Sequence, residues 1–238
     1  MRKYWNFTKG VLMLLLLLFL YAFTSHQSNA RPLASLNIDF VGENTLFISK
    51  ENLDKMLIQN NTYVQCIARD VLDLKALESK ISTHSMIEKA EVYIDVKGDL
   101  SIEVEQRKPL ARVVSNPQFY IDQKGKIMPL SAEFTARVLL VHGLVQESNL
   151  ESVYTLLKAV DSDSFLKLYT TDIIVDDKGE ISMRLRDCSF EILIGDLSNL
   201  HQKIANFKAF YQKSKKEKTL ENYKTVNLKF DQQVVGIK

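Results

Sequence analysis

Glycine is scarce in this sequence, and the scarcity argues against the loops that bind nucleotides. It occurs 8 times in 238 residues, and the sequence contains no glycine-rich phosphate loop and no dinucleotide fingerprint. The G-x-S-x-G turn of serine hydrolases and the H-E-x-x-H helix of zinc proteases are also absent. The sequence therefore lacks the motifs that identify the common classes of nucleotide-binding and hydrolytic enzymes.

Histidines and paired acids are the remaining candidates for catalysis or metal binding, and their positions favour neither role. The histidines are isolated from one another, at His26, His84, His142 and His201. Two acidic pairs, Asp161 with Asp163 and Asp176 with Asp177, lie in turn-like or helix-end settings, where carboxylates are usually solvated. We therefore predict a protein without enzymatic activity, cofactor or metal, in which His84 is a turn histidine.

The small number of cysteines and the nearly balanced charge argue against a cysteine-based metal or redox site and against nucleic-acid binding. Cys66 and Cys188 lie far apart and outside any ligand or redox spacing, so we predict two unpaired, mostly buried thiols. The sequence also allows one disulfide between them. The net charge is +2, and residues 1–30 contribute three basic side chains and no acid. The rest of the chain has no clustered basic run, which argues against nucleic-acid binding.

An apolar run near the N-terminus predicts a membrane anchor. Val11–Phe23 is apolar apart from one tyrosine hydroxyl, and with its flanks it approaches the roughly 20 residues of a spanning helix. Three basic residues precede the run, so the positive-inside rule places residues 1–9 in the cytoplasm. We predict a transmembrane anchor and short linker over 10–30 in the inner membrane, with the bulk of the chain in the periplasm.

A cleaved signal peptide is the alternative for the same segment. Its basic start and short apolar core fit, and Ser28-Asn29-Ala30 is an acceptable cleavage site. Both alternatives export the bulk of the chain from the cytoplasm.

Alternating residues predict a β-hairpin over Ile87–Arg107. Apolar and polar side chains alternate over 91–97 and again over 100–105, as half-buried strands require. Gly98-Asp99 between the two runs fits a tight hairpin turn. A sheet with one apolar face needs a covering layer, so other elements must pack on it.

Three elements before the hairpin add a third strand to the sheet and supply two helices as its covering layer. Leu36–Phe40 alternates as a strand does, and Ser49 and Asp73 are typical N-caps of two amphipathic helices. Two helices packed on a three-stranded sheet would cover its apolar face. We therefore predict an α+β domain over 31–108 with the order strand, helix, helix, strand, strand.

The remainder, 109–238, predicts a mostly antiparallel β domain with two or three helices. Strand patterns recur over 110–130 and over 173–195, and helices are predicted to begin at Asn149 and at Asp196 or Ser198. The last helix has a lysine-rich face within 198–218, predicted to be solvated, with contact to acidic lipid or an acidic partner as the alternative. Its lysines are Lys203, Lys208, Lys213, Lys215, Lys216 and Lys218.

Several short motifs, in this order, resemble one protein family. Asp73-Leu74, His84 and Glu105–Ala111 resemble a POTRA domain and its exit. A Tyr-x-Asp-x-x-Gly-x-x-x-Pro-Leu pattern follows, at Tyr120, Asp122, Gly125, Pro129 and Leu130. Val226–Asp231 is similar to a Val-Asp-Leu-Arg-Tyr-Asp segment. Together these motifs resemble the FtsQ/DivIB family of bacterial cell-division proteins, except at His84–Ile87, where that family has His-Pro-aromatic-Val.

The resemblance implies a membrane-anchored scaffold that recruits division partners and links them to septal peptidoglycan synthesis. It implies partners of the FtsB/DivIC and FtsL type, which pair with the edge strand of the second domain. The partner-binding residues expected on this basis are Tyr223, Lys224, Thr225, Val226, Asn227, Leu228, Lys229 and Phe230. Two alternatives stay open: a secreted POTRA module that binds transported or outer-membrane polypeptides by strand addition, and an exported hydrolase.

Overall fold

The computed structural model describes residues 2–29, 35–42, 47–59, 72–95, 98–230 and 233–238, and within the N-terminal helix it describes the side chains of 8–21 and 23. The chain divides into two compact units, Met1–Gln106 and Arg107–Lys238. Cys66, Val96, Lys97, Asp231 and the cleavage site at Ala30 lie outside the described residues, so the predictions that concern them stay predictions.

The N-terminal helix α1 spans Arg2–Asn29, and its described apolar side chains, such as Leu12 and Phe19, are exposed. Among the residues that the structure describes, no helix reaches both the length and the hydropathy of a membrane span.

The rest of the first unit confirms the predicted order of strand, helix, helix, strand, strand. Its elements are β1 (Leu36–Val41), α2 (Lys50–Gln59), α3 (Leu74–Ser82), β2 (Ile87–Ile94) and β3 (Leu100–Gln106). The sheet order is β1-β3-β2, in which β3 pairs parallel with β1 and antiparallel with β2. The central strand β3 therefore lies between the first strand and its own hairpin partner.

Alternation and capping account for these elements. Leu100, Ile102 and Val104 of β3 are fully buried in one apolar cluster with residues of both helices. The Asp73 carboxylate accepts a hydrogen bond from the Ala76 amide at 3.0 Å, so it caps α3 as predicted. These contacts give the small sheet the covering layer that its apolar face requires.

A buried glutamine ties the start of α2 to the end of β3. Gln106 is 2% exposed, and its side-chain carbonyl accepts from the Phe47 amide at 2.9 Å. Its side-chain amide donates to the Ile48 carbonyl, also at 2.9 Å. Both polar ends of the side chain are therefore hydrogen-bonded, and these two bonds connect the segments where no backbone pairing is needed.

The second unit is a nine-stranded sheet with three α-helices. Its strands are β4 (Pro109–Val114), β5 (Phe119–Asp122), β6 (Ile127–Pro129), β7 (Leu139–Gly143), β8 (Thr170–Val175), β9 (Ile181–Leu185), β10 (Glu191–Gly195), β11 (Thr225–Asn227) and β12 (Val235–Ile237). Its helices are α4 (Glu147–Ser162), α5 (Ser164–Tyr169) and α6 (Leu200–Lys216). The strand order is β12-β11-β10-β9-β8-β7-β4-β5-β6.

The sheet is mixed, and this refines the prediction of a mostly antiparallel domain. Five of its eight strand pairs are antiparallel, but β4 with β7, β7 with β8, and β10 with β11 are parallel. The helices explain two of the parallel pairs. The pair α4–α5 connects β7 to β8, and α6 connects β10 to β11, and a helical crossover returns the chain in the same direction.

Three turns share the sequence Asp-x-x-Gly, and the shared geometry explains part of the family-like pattern. In each turn the glycine has a positive φ and its amide donates to the aspartate carbonyl, at Asp95–Gly98, Asp122–Gly125 and Asp176–Gly179. The Asp122 carboxylate also accepts from the Lys124 and Lys126 amides, at 2.9 and 2.8 Å. These aspartates therefore organise turns.

Two predicted helix starts are wrong by a few residues. Asn149 is the third residue of α4, where its side-chain oxygen accepts from the amide of the true N-cap, Gln146, at 2.8 Å. The N-cap of α6 is Asn199, in a left-handed conformation, and not Asp196 or Ser198. The Asp196 carboxylate instead accepts a hydrogen bond from Lys203. The polar residues before α6 therefore have the composition of an N-cap, but Asp196 does not form one.

Gly143 should be one of the least replaceable positions of the second unit. Its φ is +97°, and a Cβ placed there would lie 1.8 Å from the Val175 carbonyl oxygen of the neighbouring strand. Gly143→Ala should lower the free energy of unfolding of this unit by about 3 kcal/mol or more, because strain and a backbone clash add. Hydrogen exchange read by peptide reports that free energy separately for each unit.

Gly179→Ala is the matched control. Gly179 also has a positive φ, +78°, but no atom lies within 4 Å of the position that an alanine methyl would take, so only the cost of about 1 kcal/mol for the conformation applies. Equal losses for the two variants would contradict the close approach of β7 and β8 at this point.

Candidate functional site

The segment predicted to bind partners lies inside the sheet. Within Tyr223–Phe230, β11 pairs with β10 on one side and with β12 on the other. The Lys224 carbonyl accepts from the Glu191 amide at 3.1 Å, and the Leu228 amide donates to the Leu193 carbonyl at 2.8 Å. The expectation that this segment is the edge is therefore corrected, because its hydrogen-bonding groups are already used within the sheet.

The side chains of Tyr223–Phe230 also show that this segment lies inside the fold. Val226 and Leu228 are 0% and 2% exposed, so they belong to the core and are inaccessible to a partner. Tyr223 is half-buried, with its ring 5.2 Å from that of Phe210 in an edge-to-face contact. Among these eight residues, Phe230 exposes a large apolar side chain, at 47%.

The hydrogen-bonding edge at this end of the sheet is β12. The Ile237 carbonyl accepts from the Lys224 amide at 2.8 Å, so the polar groups of Ile237 face β11. Successive residues of a strand direct their N–H and C=O groups to opposite sides, so those of Gly236 face away from β11. Continued by one residue past the end of β12 at Ile237, the same alternation would direct the Lys238 amide outward. We call Gly236 and Lys238 the outward pair.

Gly236 lets the edge strand lie close to Tyr223. A Cβ at Gly236 would lie 2.5 Å from Cε1 and 2.6 Å from Cδ1 of the tyrosine ring. A larger residue would force the ring or the strand to move. Nothing in the periodicity of the C-terminal sequence indicates this contact, because it joins residues that are not neighbours along the chain.

A buried lysine fixes the end of β10, the strand that pairs with β11. Lys203 of α6 is 2% exposed, and its ammonium donates to the Ile194 carbonyl at 3.2 Å and to the Asp196 carbonyl at 2.8 Å. It also donates to the Asp196 carboxylate at 2.9 Å. Lys203 lies four residues before the buried Phe207, so helical spacing could have placed it on the apolar face.

The lysine-rich face of α6 is therefore smaller than predicted. Lys203 is buried, and Lys208 donates to the Asp163 carboxylate at 2.8 Å. That contact, together with backbone amides of α5, lowers the pKa of Asp163. The exposed lysines lie near the helix end, at Lys213, Lys215, Lys216 and Lys218, where cations interact favourably with the helix dipole.

A small cleft adjoins the buried lysine. It has a volume of about 300 Å³ and is bordered by the turn Lys178–Glu180, by Asp196 and Lys203, and by Lys229. Lys229 donates to the Glu180 carboxylate at 2.5 Å. Hydrogen bonds from the Ser198 hydroxyl and from Lys203 lower the pKa of Asp196 to about 2. The cleft thus joins three segments through paired charges.

The remaining candidates for catalysis or metal binding are histidines and Cys188. Within the described part of the chain, no three His, Cys, Asp or Glu side chains are arranged to hold a metal. His84 accepts from the Met86 amide at 3.3 Å in a turn, and burial lowers its pKa. His142 is not isolated as expected, since its Nε2 lies 3.0 Å from Asp172 Oδ1. Cys188 is a free, half-buried thiol whose pKa is raised by burial.

Replacing Asp196 should remove a pH-dependent part of the stability of this region. The folded-state pKa of about 2 lies below the ordinary value of 3.8, so the stabilisation is present above pH 3.8 and is lost as the pH falls towards 2. The stability difference between wild type and Asp196→Asn should therefore shrink over that window. Unfolding curves recorded at stepped pH values measure it.

Asp177→Asn is the control, because Asp177 is an exposed turn residue. The stability difference between wild type and Asp177→Asn should vary less with pH over the same window. A constant difference for Asp196→Asn would contradict the contacts of its carboxylate with Ser198 and Lys203.

Comparison with known families identifies both units. The family model described as FtsQ/DivIB, C-terminal related, matches residues 108–237, which is more than half of the chain. A POTRA-like domain model matches residues 35–105. No curated protein matches the chain. The order of a POTRA-like unit and an FtsQ/DivIB C-terminal unit is the order expected from the motifs, and the chain belongs to the FtsQ/DivIB family.

Proposed function

We propose that this protein is a scaffold of the bacterial division complex that recruits a partner by strand addition to β12. The observation that carries the proposal is the edge position of β12, which the sheet pairs on one side; Gly236 of the outward pair lies in this strand, and Lys238 follows it directly. An exposed strand edge supplies a row of donors and acceptors that an extended peptide can continue. Membership of a family of division proteins supplies the biological setting.

The partners that fit this edge are small coiled-coil division proteins of the FtsB/DivIC and FtsL type. A short extended segment beside their helices would form the added strand. Main-chain hydrogen bonds would provide affinity, and the apolar side chain of Ile237, 49% exposed, would provide a contact for one apolar residue of the partner. In this mechanism the protein acts by recruitment, without bond chemistry, and thereby links its partners to septal peptidoglycan synthesis.

We further propose that α1 anchors the protein in the inner membrane. The apolar run Val11–Phe23, the length of 28 residues for the helix and the basic residues before the run support this proposal. The N-terminus would then be cytoplasmic, and both folded units would lie in the periplasm. An anchor of this kind would keep the protein at the membrane.

Lys238→Pro should weaken partner binding, because proline removes one outward N–H without replacing any core side chain. The loss of one backbone hydrogen bond should raise the Kd roughly 3- to 10-fold. The binding of full-length protein to a purified FtsB/DivIC-type partner measures the change.

Lys238→Ala is the matched control, because it removes the same side chain and keeps the N–H. It should bind like wild type within about twofold. If the proline and alanine variants bind equally well, the outward N–H has no part in the interaction, and strand addition at β12 is wrong.

The anchor makes a separate prediction. The full-length protein should stay in the membrane fraction after an alkaline carbonate wash, and N-terminal sequencing of that fraction should read residues before Val11. A reporter that is active only in the periplasm, fused after Lys238, should be active. A mature N-terminus at Arg31, with the protein released from the membrane, would establish the signal peptide instead.

A further inference from the structure

A second cleft opens at the opposite end of the strands from the turn Lys178–Glu180, and it is larger. It has a volume of about 700 Å³ and lies where β4, β7 and β8 begin. These three strands run parallel to one another, so their starting ends meet at one edge of the sheet. The end of α4 and the helix α5 border the same space. We call this space the basic cleft, after its charged lining.

Four cations line the basic cleft against one acid. The cations are Arg112, Arg137, Lys167 and Arg186, and the acid is Asp161. Asp161 is already paired with Lys167, whose Nζ lies 2.8 Å from its Oδ1. Across the described residues, no carboxylate lies within ion-pair distance of the three arginines. The cleft therefore carries an uncompensated positive charge from three guanidinium groups.

Arg112 is held in place with part of its hydrogen-bonding capacity unused. Its Nη2 donates to the Gln118 side-chain oxygen at 2.6 Å, which fixes the guanidinium plane. Its Nε is buried without a hydrogen-bond partner, and so is the Thr170 hydroxyl at the start of β8. Arg112 therefore lies at the wall of the cleft in a position that Gln118 fixes.

The apolar part of the lining narrows the class of ligand. Leu110, Val138 and Leu139 line the cleft together with the arginines. A small inorganic anion would use the charges and leave these side chains uncovered. Guanidinium groups bind carboxylates in a bidentate manner, so a segment that combines carboxylates with apolar side chains uses both parts of the lining. The volume lies within the range of about 300–1,000 Å³ that is typical of ligand sites.

We propose that the basic cleft binds an acidic, partly apolar peptide segment of a second protein partner. This goes beyond the proposed function, because β9, β10 and β11 separate β8 from the edge strand β12. The two sites can be occupied at the same time. The scaffold would then recruit one partner through backbone pairing at β12 and another through charge and apolar contact at the basic cleft.

Selection of a random dodecapeptide library on phage, against the full-length protein in detergent, tests the proposal. The selected peptides should be enriched in Asp and Glu together with apolar residues. A synthetic copy of a selected peptide should lose about tenfold in affinity to each of Arg112→Gln, Arg137→Gln and Arg186→Gln. Arg137 and Arg186 are exposed, so their variants remain informative even if Arg112→Gln disturbs the fold.

The controls separate this site from the alternatives. Arg184→Gln removes an exposed arginine of β9 outside the cleft and should leave the affinity unchanged within about twofold. Lys238→Pro should also leave it unchanged, whereas a loss there would place the peptide at β12 and overturn the proposal. Selected peptides without acidic residues, full displacement by inorganic phosphate at equal concentration, or binding insensitive to all three arginine variants would each overturn it as well.

Discussion

Each strand of a sheet has two hydrogen-bonding sides, and in this protein the use of those sides decides where a partner can pair. β11 is hydrogen-bonded to β10 on one side and to β12 on the other, so few backbone N–H and C=O groups of Tyr223–Phe230 can pair with another chain. β12 is hydrogen-bonded to β11 on one side, and the outward pair lies on its other side. The proposed recruitment therefore depends on a strand of three residues staying docked on β11.

The contacts around β10 and β11 keep that strand in position. The parallel pairing of β10 with β11 requires α6 to return the chain, and Lys203 bonds this helix to the end of β10 through three acceptors. A lysine buried in this way is stable only because each donor is satisfied. On the other side, Gly236 leaves room for the Tyr223 ring. Side-chain contacts thus compensate for the few backbone bonds that such short strands can form.

Local patterns in the sequence predicted the elements well and their neighbours less well. Alternation located β1, β2 and β3, and Asp73 marked the start of α3, because those signals arise within a few residues. Alternation does not encode which strand lies beside which, so it could not predict the parallel pairs or the internal place of β11. A prediction from sequence places Lys203 in solvent because its side chain is charged, although its helical spacing from Phe207 places it on the apolar face of α6. The basic cleft combines residues from 109 to 186, and no local pattern could assemble it.

Amide hydrogen exchange resolved to single residues, on the full-length protein without partner, measures the state of the edge most directly. The Val235 and Ile237 amides, which face β11, should exchange at least about tenfold more slowly than the Gly236 amide, which faces outward. Addition of an FtsB/DivIC-type partner should then slow Gly236. Slow exchange at Gly236 in the free protein, equal to that of its neighbours, would mean that another segment already covers β12 and would contradict the account.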